Sequence, residues 1–262
     1  MELRKIDFSC NNSIASVVLN YPKNLNALDM DMVDELLYVL KKCEEDDSVK
    51  VVVISGGPKA FSAGGDIGYF YKEMKSGNLD LDPLIAKAGS ISLAIKKMLK
   101  PVISSVSGAV AGAGFNLAIS CDFCIAANNT KFIQAFVNIG LIPDTGGVYL
   151  LTRAIGVQRA LDLIMTGRVV SADEAYSLGL VKEVCAPEDL QKRTMEFAAK
   201  LAHGPLLAYA NNKKLIFSSE YMDYERFLKD EVTAQSACAA SEDFREGISA
   251  FVEKRKPSFK GR

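Results

Sequence analysis

The chain has 262 residues, 49% of them apolar and 24% charged, with 31 basic against 32 acidic side chains. That composition is ordinary for a globular protein with one sizeable core, and the charge balance leaves no net field to attract nucleic acid or an anionic membrane. The opening Met1-Glu2-Leu3-Arg4-Lys5-Ile6-Asp7 lacks the apolar stretch of a secretory signal and is too acidic for a transit peptide, and no apolar run reaches spanning length, so a cytoplasmic protein is expected.

In chain order, Ile14 to Leu19 is β-rich, Asp29 to Cys43 carries helical periodicity, and Lys50 to Ser55 is a continuous apolar strand. Such strands read as parallel and buried on both faces. Ser76 to Pro83 reads as a loop, Leu84 to Leu99 as a helix stopped by Pro101, and Val102 to Val106 as a short β-branched strand. A small-residue turn, Gly108 to Gly114, leads into an apolar helix from Phe115 to Ser120. Asp122 to Ala127 and Lys131 to Gln134 read as strands, and Gly146 to Ile155 as a helix entered from a Pro-Asp-Thr-Gly-Gly turn. From Glu188 the pattern is helical: Glu188 to His203, Leu206 to Phe217, Tyr221 to Ala240, and Ser241 to Lys254 behind a Ser-Glu-Asp cap. The expected organisation is an α/β core over residues 1–200 and a smaller helical region over 201–262.

Six cysteines lie mostly within apolar segments and read as reduced core residues. Cys121 and Cys124 form a lone CxxC in a chain whose single histidine is the distant His203, too few donors for an ordinary zinc site, and no metal is expected.

Phe61-Ser62-Ala63-Gly64-Gly65-Asp66 follows a buried strand, and its adjacent glycines let the backbone approach a ligand and aim N–H groups at it. Gly108 to Gly114 repeats the arrangement, ending on a helix whose first N–H groups lack intrahelical partners. Either turn alone is better explained by tight strand-to-helix packing.

Taken together, SAGGD after KVVVIS, KPVISSVSGAVAGAGFNLAISCD, IGLIPDTGG and FVEKRKPSFKG resemble the crotonase, or enoyl-CoA hydratase/isomerase, family in order and spacing over almost the whole chain. The resemblance implies a ββα-spiral core with a C-terminal helical trimerisation region, a homotrimer or homohexamer, and an acyl thioester of CoA or acyl carrier protein as substrate with no further cofactor. It places the oxyanion donors on the backbone N–H groups of Gly65 and Ala113. It also implies that Ala63 lies beside adenine, and that Phe251 and Lys254, reaching from a neighbouring subunit, complete the CoA pocket. Gly68 stands where several hydratases have a phosphate-contacting lysine, which leaves the choice between CoA and acyl carrier protein open.

The hydratases of the family activate water with two glutamates, but the matching positions here are Asn116 and Phe136, expected to line the substrate pocket. Neither is a general base. Asp144 stands where the compared hydratases have glycine and is the candidate base. The other reading makes it a cap for the helix starting near Gly146. Asp66 and Asp122 read as a helix cap and a strand-end ion pair. One carboxylate facing an oxyanion hole suits a 1,3-allylic proton shift, trans-2 to cis-3, in an enoyl thioester. The run Lys131 to Phe136 and the segment Glu242 to Gly247 are similar to the family's branch acting on acyl-carrier-protein thioesters. Competing readings are an enoyl-CoA hydratase, a phenylacetyl-CoA-epoxide type of isomerase, an aryl-CoA enzyme with Asp144 as nucleophile, and a non-catalytic scaffold.

Overall fold

A computed structural model describes all 262 residues. The chain begins with a hairpin, β1 (Ile6–Asn11) and β2 (Ile14–Leu19), whose two-residue turn places Asn12 and Ser13 at φ 51° and 63°. Two consecutive left-handed residues match the right-handed twist of the strands they join. Helix α1 (Met30–Glu45) follows, capped by Asp29, whose carboxylate accepts from Met32 N at 3.0 Å. Met32, Leu36, Val39 and Cys43, three or four residues apart, form its buried stripe.

The chain then repeats one pattern three times: a strand in a large sheet, a short strand in a small sheet, and an exit into helix. The first pass is β3 (Val51–Ser55), β4 (Ala60–Ser62), then α2 (Ile67–Ser76) and α3 (Asp82–Lys97). The second is β5 (Val102–Val106), β6 (Ala109–Ala111) and α4 (Ala113–Ser120). The third is β7 (Phe123–Ala127), β8 (Lys131–Ile133), a 3₁₀ turn at Ala135–Ile139, then α5 (Gly147–Ile155) and α6 (Val157–Thr166). Two further strands, β9 (Val169–Ser171) and β10 (Glu183–Cys185), flank the short helix α7 (Ala172–Ser177).

The large sheet has the order β1-β2-β3-β5-β7-β10 and is parallel from β2 onward; the small one has the order β4-β6-β8-β9 and is parallel except at β9. Val51, Val52, Ile54, Val102, Ile103 and Ile125 are at most barely exposed because helices cover both faces of the large sheet. The three exits from the small sheet, β4 to α2, β6 to α4 and β8 to α5, consequently open at one place.

Four helices close the chain: α8 (Leu190–Ala202), α9 (Leu206–Glu220), α10 (Tyr224–Ala239) and α11 (Glu242–Val252), the last capped by Ser241 at 3.0 Å from Phe244 N. Helix α8 packs on β3 and β5, so the expected division after residue 200 falls within a helix that belongs to the sheet layer. Helix α10 lies on α3, and α11 lies on α2 and the 3₁₀ turn, which brings the C-terminal helices back over the place where the small-sheet exits open. No helix is long and apolar enough to cross a membrane.

Candidate active site

The first exit turn is braced from both sides. Leu28 N–H donates to Gly64 O at 2.7 Å and Ala63 N–H to Leu25 O at 3.0 Å, while the buried Asn26 amide donates to Ala60 O and Phe61 O. Gly64 sits at φ 90°, and a Cβ there would lie 2.8 Å from Ala111 O and 3.4 Å from Ala113 N, so the first turn presses against the second. Only glycine permits both the conformation and the approach. Gly65 N–H finds no acceptor within the chain.

The second turn is fixed by Gly112 N–H donating to Ile133 O at 2.9 Å. Ala113 opens α4 and its N–H has no intrahelical partner. Two free backbone donors, at the positive end of one helix and on the turn packed against it, thus border one cavity.

That cavity encloses about 360 Å³ and is walled mainly by apolar groups, including Leu28, Phe70, Leu84, Ile85, Phe136 and Leu141. Leu81, from the expected loop at 76–83, contributes to the wall. Among all its lining residues Asp144 alone is ionisable. Asp144 is only partly exposed and lines this cavity, and burial raises its pKa to about 6 against the smaller opposing effects of Thr145 and Gln235. Thr145 Oγ1 donates to its Oδ1 at 2.9 Å.

Asp144 does not cap α5: the N-cap is Gly146, with no side-chain cap. The turn is instead held by remote groups. Asp144 O accepts from Asn116 Nδ2 at 2.8 Å and from Gly147 N at 2.9 Å, and Gly146 N–H donates to both oxygens of Glu231 at 3.0 and 3.1 Å. Glu231 is buried on α10, and burial, then the adjacent Asp144 charge, pushes its pKa up to about 9 despite the Gly146 bond. Of this carboxyl pair Asp144 ionises first, so near neutrality the pair carries one charge, on the side chain that faces the cavity.

Ala63, Gly65, Ala113, Phe136, Asp144 and Phe251 meet at the cavity. Two expected site residues do not. Asn116 is fully buried behind the wall; with Nδ2 on Asp144 O and Oδ1 accepting from Gln134 Nε2 at 2.7 Å, it is a brace for the Asp144 turn rather than a substrate contact. Lys254 is exposed beyond the end of α11, outside its own chain's cavity. Phe251 reaches the cavity of its own chain, where the resemblance implied a neighbour's, because α11 folds back onto α2.

Asp66 caps α2 through Tyr69 N at 2.9 Å, and Asp122 pairs with Lys213 at 2.5 Å, the structural roles expected of them. Cys121 and Cys124 are buried, and burial pushes both thiols up, Cys124 to about 12. The sequence reading missed Gln235 and Asn138, which supply the other polar wall, and Glu231. A signal was present for two of them: Glu231 and Gln235 share a face of α10 with Tyr224 and Leu228, and polar residues on an otherwise apolar stripe call for a partner.

An apolar cavity with one desolvated carboxylate and two unpaired backbone donors has the groups needed to remove or return a proton beside a carbonyl whose oxygen becomes negative. The family model for enoyl-CoA hydratase/isomerase matches residues 9–262, and the chain belongs to that family, the crotonases. It is 38% identical to trans-2-decenoyl-[acyl-carrier-protein] isomerase of Streptococcus mutans over the full length of both chains. It is likewise 36% identical to a short-chain-enoyl-CoA hydratase of Clostridium acetobutylicum, again with both fully covered. Among solved structures, an enoyl-CoA hydratase from Mycobacterium avium subsp. paratuberculosis superposes with a TM-score of 0.90 at 30% identity, covering 99% of this chain and all of that one.

Proposed function

We propose that this enzyme shifts the double bond of an enoyl thioester from trans-2 to cis-3 through a dienolate, with Asp144 as its single base. The observation that carries the reading is that Asp144 is the one ionisable side chain lining a cavity bordered by two free N–H donors. The Asp144 carboxylate takes a proton from C4. The C4–H electrons form the C3=C4 bond, the former C2=C3 pair forms a C1=C2 bond, and the carbonyl π pair moves onto the thioester oxygen, which takes up the negative charge. The N–H groups of Gly65 and Ala113 stabilise that oxygen, each contributing about 2.7–4 kcal/mol to lowering the barrier. Protonated Asp144 then returns the proton to C2, and the enolate collapses to the thioester. The atoms balance with no added water or cofactor.

Hydration would require a group to activate water, and the positions that carry glutamates in the family's hydratases hold a brace, Asn116, and an apolar wall, Phe136. Ala63 at the cavity edge and the half-exposed Phe251 at its mouth would meet the thioester arm of CoA or of acyl carrier protein. Helix α9 buries none of its residues in the single chain and exposes Leu207, Leu215 and Ile216, which supports assembly with further copies as a trimer or hexamer.

The test is to incubate the protein with trans-2-decenoyl-CoA and with the corresponding acyl-carrier-protein thioester in D₂O, following products by NMR and mass. The reading expects a deuterated 3-enoyl product that disappears in Asp144→Asn. A 3-hydroxyacyl product that survives in the variant returns the enzyme to the hydratases, and silence on both thioesters favours a non-catalytic scaffold.

A further inference from the structure

We propose that Gln235 is a positioning residue for Asp144, the central part of a two-point clamp by which α10 holds the base's turn and orients its carboxylate. This inference rests on the isomerase reading above.

The clamp is set by helical spacing. Glu231 and Gln235 stand four residues apart on one face of α10, about 6 Å along the axis. They grip backbone four residues apart on the facing turn, at Gly146 and Ile142. Gln235 makes both of its contacts with a single residue: Oε1 accepts from Ile142 N at 2.9 Å and Nε2 donates to Ile142 O at 2.8 Å. A side-chain amide here pairs the N–H and the C=O of one residue, groups of two successive peptide units that would otherwise be unpaired beside an apolar cavity. Asp144 lies between the two grips, and Asn116 holds its carbonyl from the opposite side.

Gln235 differs from the other braces because it also lines the cavity, although it is itself fully buried. The Ile142 carbonyl takes one of its two amide hydrogens, and the side chain lines the same cavity as Asp144, where it acts in the direction of favouring the ionised base. The buried titratable groups on the elements around Asp144 have separate partners. Tyr224 of α10 donates to Ser92 Oγ at 2.7 Å, Tyr149 of α5 to Glu220 O at 3.0 Å, and Glu231 is held on Gly146; α4 and the 3₁₀ turn bring none. Gln235 is thus the one residue of α10 that both holds the Asp144 turn and lines the cavity.

The experiment measures the titration of the Asp144 carboxyl directly, by pH-difference infrared spectroscopy of the full-length protein with Asp144→Asn subtracted, in wild type, Gln235→Met and Gln235→Leu. Methionine keeps the length of the side chain and removes the amide; leucine, likewise uncharged, carries the test if the methionine variant does not fold. The carboxyl midpoint is expected to move up by about one pH unit, and the acid limb of kcat to move with it. The kcat value should fall by about tenfold with KM nearly unchanged. An unmoved midpoint and acid limb in a folded variant would overturn the proposal and leave Gln235 a purely structural residue. The infrared midpoint needs no turnover, so an enzyme inactive on enoyl thioesters but with a shifted midpoint would refute the isomerase reading and leave the clamp standing.

Discussion

The two halves of the catalytic cavity are held in different ways. The donor half, Gly65 and Ala113, is built from backbone: two strand-to-helix turns of successive passes press together, and their geometry follows from Gly64, Gly112 and the ladder of the small sheet. The base half, Ile142 to Gly147, has no strand to follow and is held by side chains from distant parts of the chain, Asn116 on α4 and Glu231 and Gln235 on α10. On the mechanism proposed above, donors that must not move are placed by peptide geometry, which costs no reorganisation when charge develops. The proposed base, which must accept and return a proton, is placed by a network whose members can be changed singly.

The sharpest way to break the comparison is at the base itself. Asp144→Asn should lower kcat by about 10²–10⁴-fold, the range for removing a general base. The same change should stabilise the fold. Asp144 has a folded pKa raised from 3.8 to about 6, so its stabilising contribution is complete below pH 3.8 and is lost as pH rises through 6. Above that window the variant should be more stable by up to about 3 kcal/mol, read by urea denaturation at pH 5 and pH 8. An equally active or a less stable variant would remove Asp144 from the role.

Next in size is the donor half. Gly64→Ala puts a methyl group 2.8 Å from Ala111 O at a backbone angle that alanine resists, and the relief must displace Gly65 or Ala113. Loss of one aligned donor should lower kcat by about 10²–10³-fold. KM and the acid limb of the pH profile should stay where they are, because no group that titrates has been touched. A shift of the limb would mean that the two halves are not separable.

Between these and the subtler effects lies Asn116→Ala, which strips the Asp144 carbonyl of one donor and the buried Gln134 amide of its acceptor. Destabilisation of about 1–3 kcal/mol is expected, measured by thermal or chemical unfolding. Turnover should fall and KM change little, since the residue does not line the cavity. A large rise in KM would restore Asn116 as a substrate contact.

The same division explains what could be read from the sequence. Strands such as Ile14 to Leu19 and Val102 to Val106, and the donor turns at Gly64-Gly65 and Gly112-Ala113, are legible because local pattern and glycine placement determine them. Strand β4, strand β6 and helix α2 went unmarked: two are three residues long, too short to show alternation, and α2 buries only Phe70. Asp144 could be found as the acid standing where the compared hydratases have glycine, whereas the roles of Asn116, Gln235 and Glu231 rest on partners 28 to 93 residues away, which no window along the chain contains.

The finest distinction concerns the charge that the base half carries. Glu231 is raised from 4.5 to about 9 in the folded chain, so across that interval unfolding releases its proton and stability declines as pH rises. One such group changes the slope by at most about 1.4 kcal/mol per pH unit. Glu231→Gln keeps an acceptor for Gly146 N–H and cannot ionise. The variant's stability should therefore fall less steeply than wild type between pH 5 and 9, followed by urea denaturation at unit intervals. Its catalytic acid limb near pH 6 should be unmoved, because Glu231 is already neutral where Asp144 titrates. If the slopes coincide, Glu231 is ionised in the native protein, two negative charges stand side by side beneath the cavity, and the single-charge account of the base half must be abandoned.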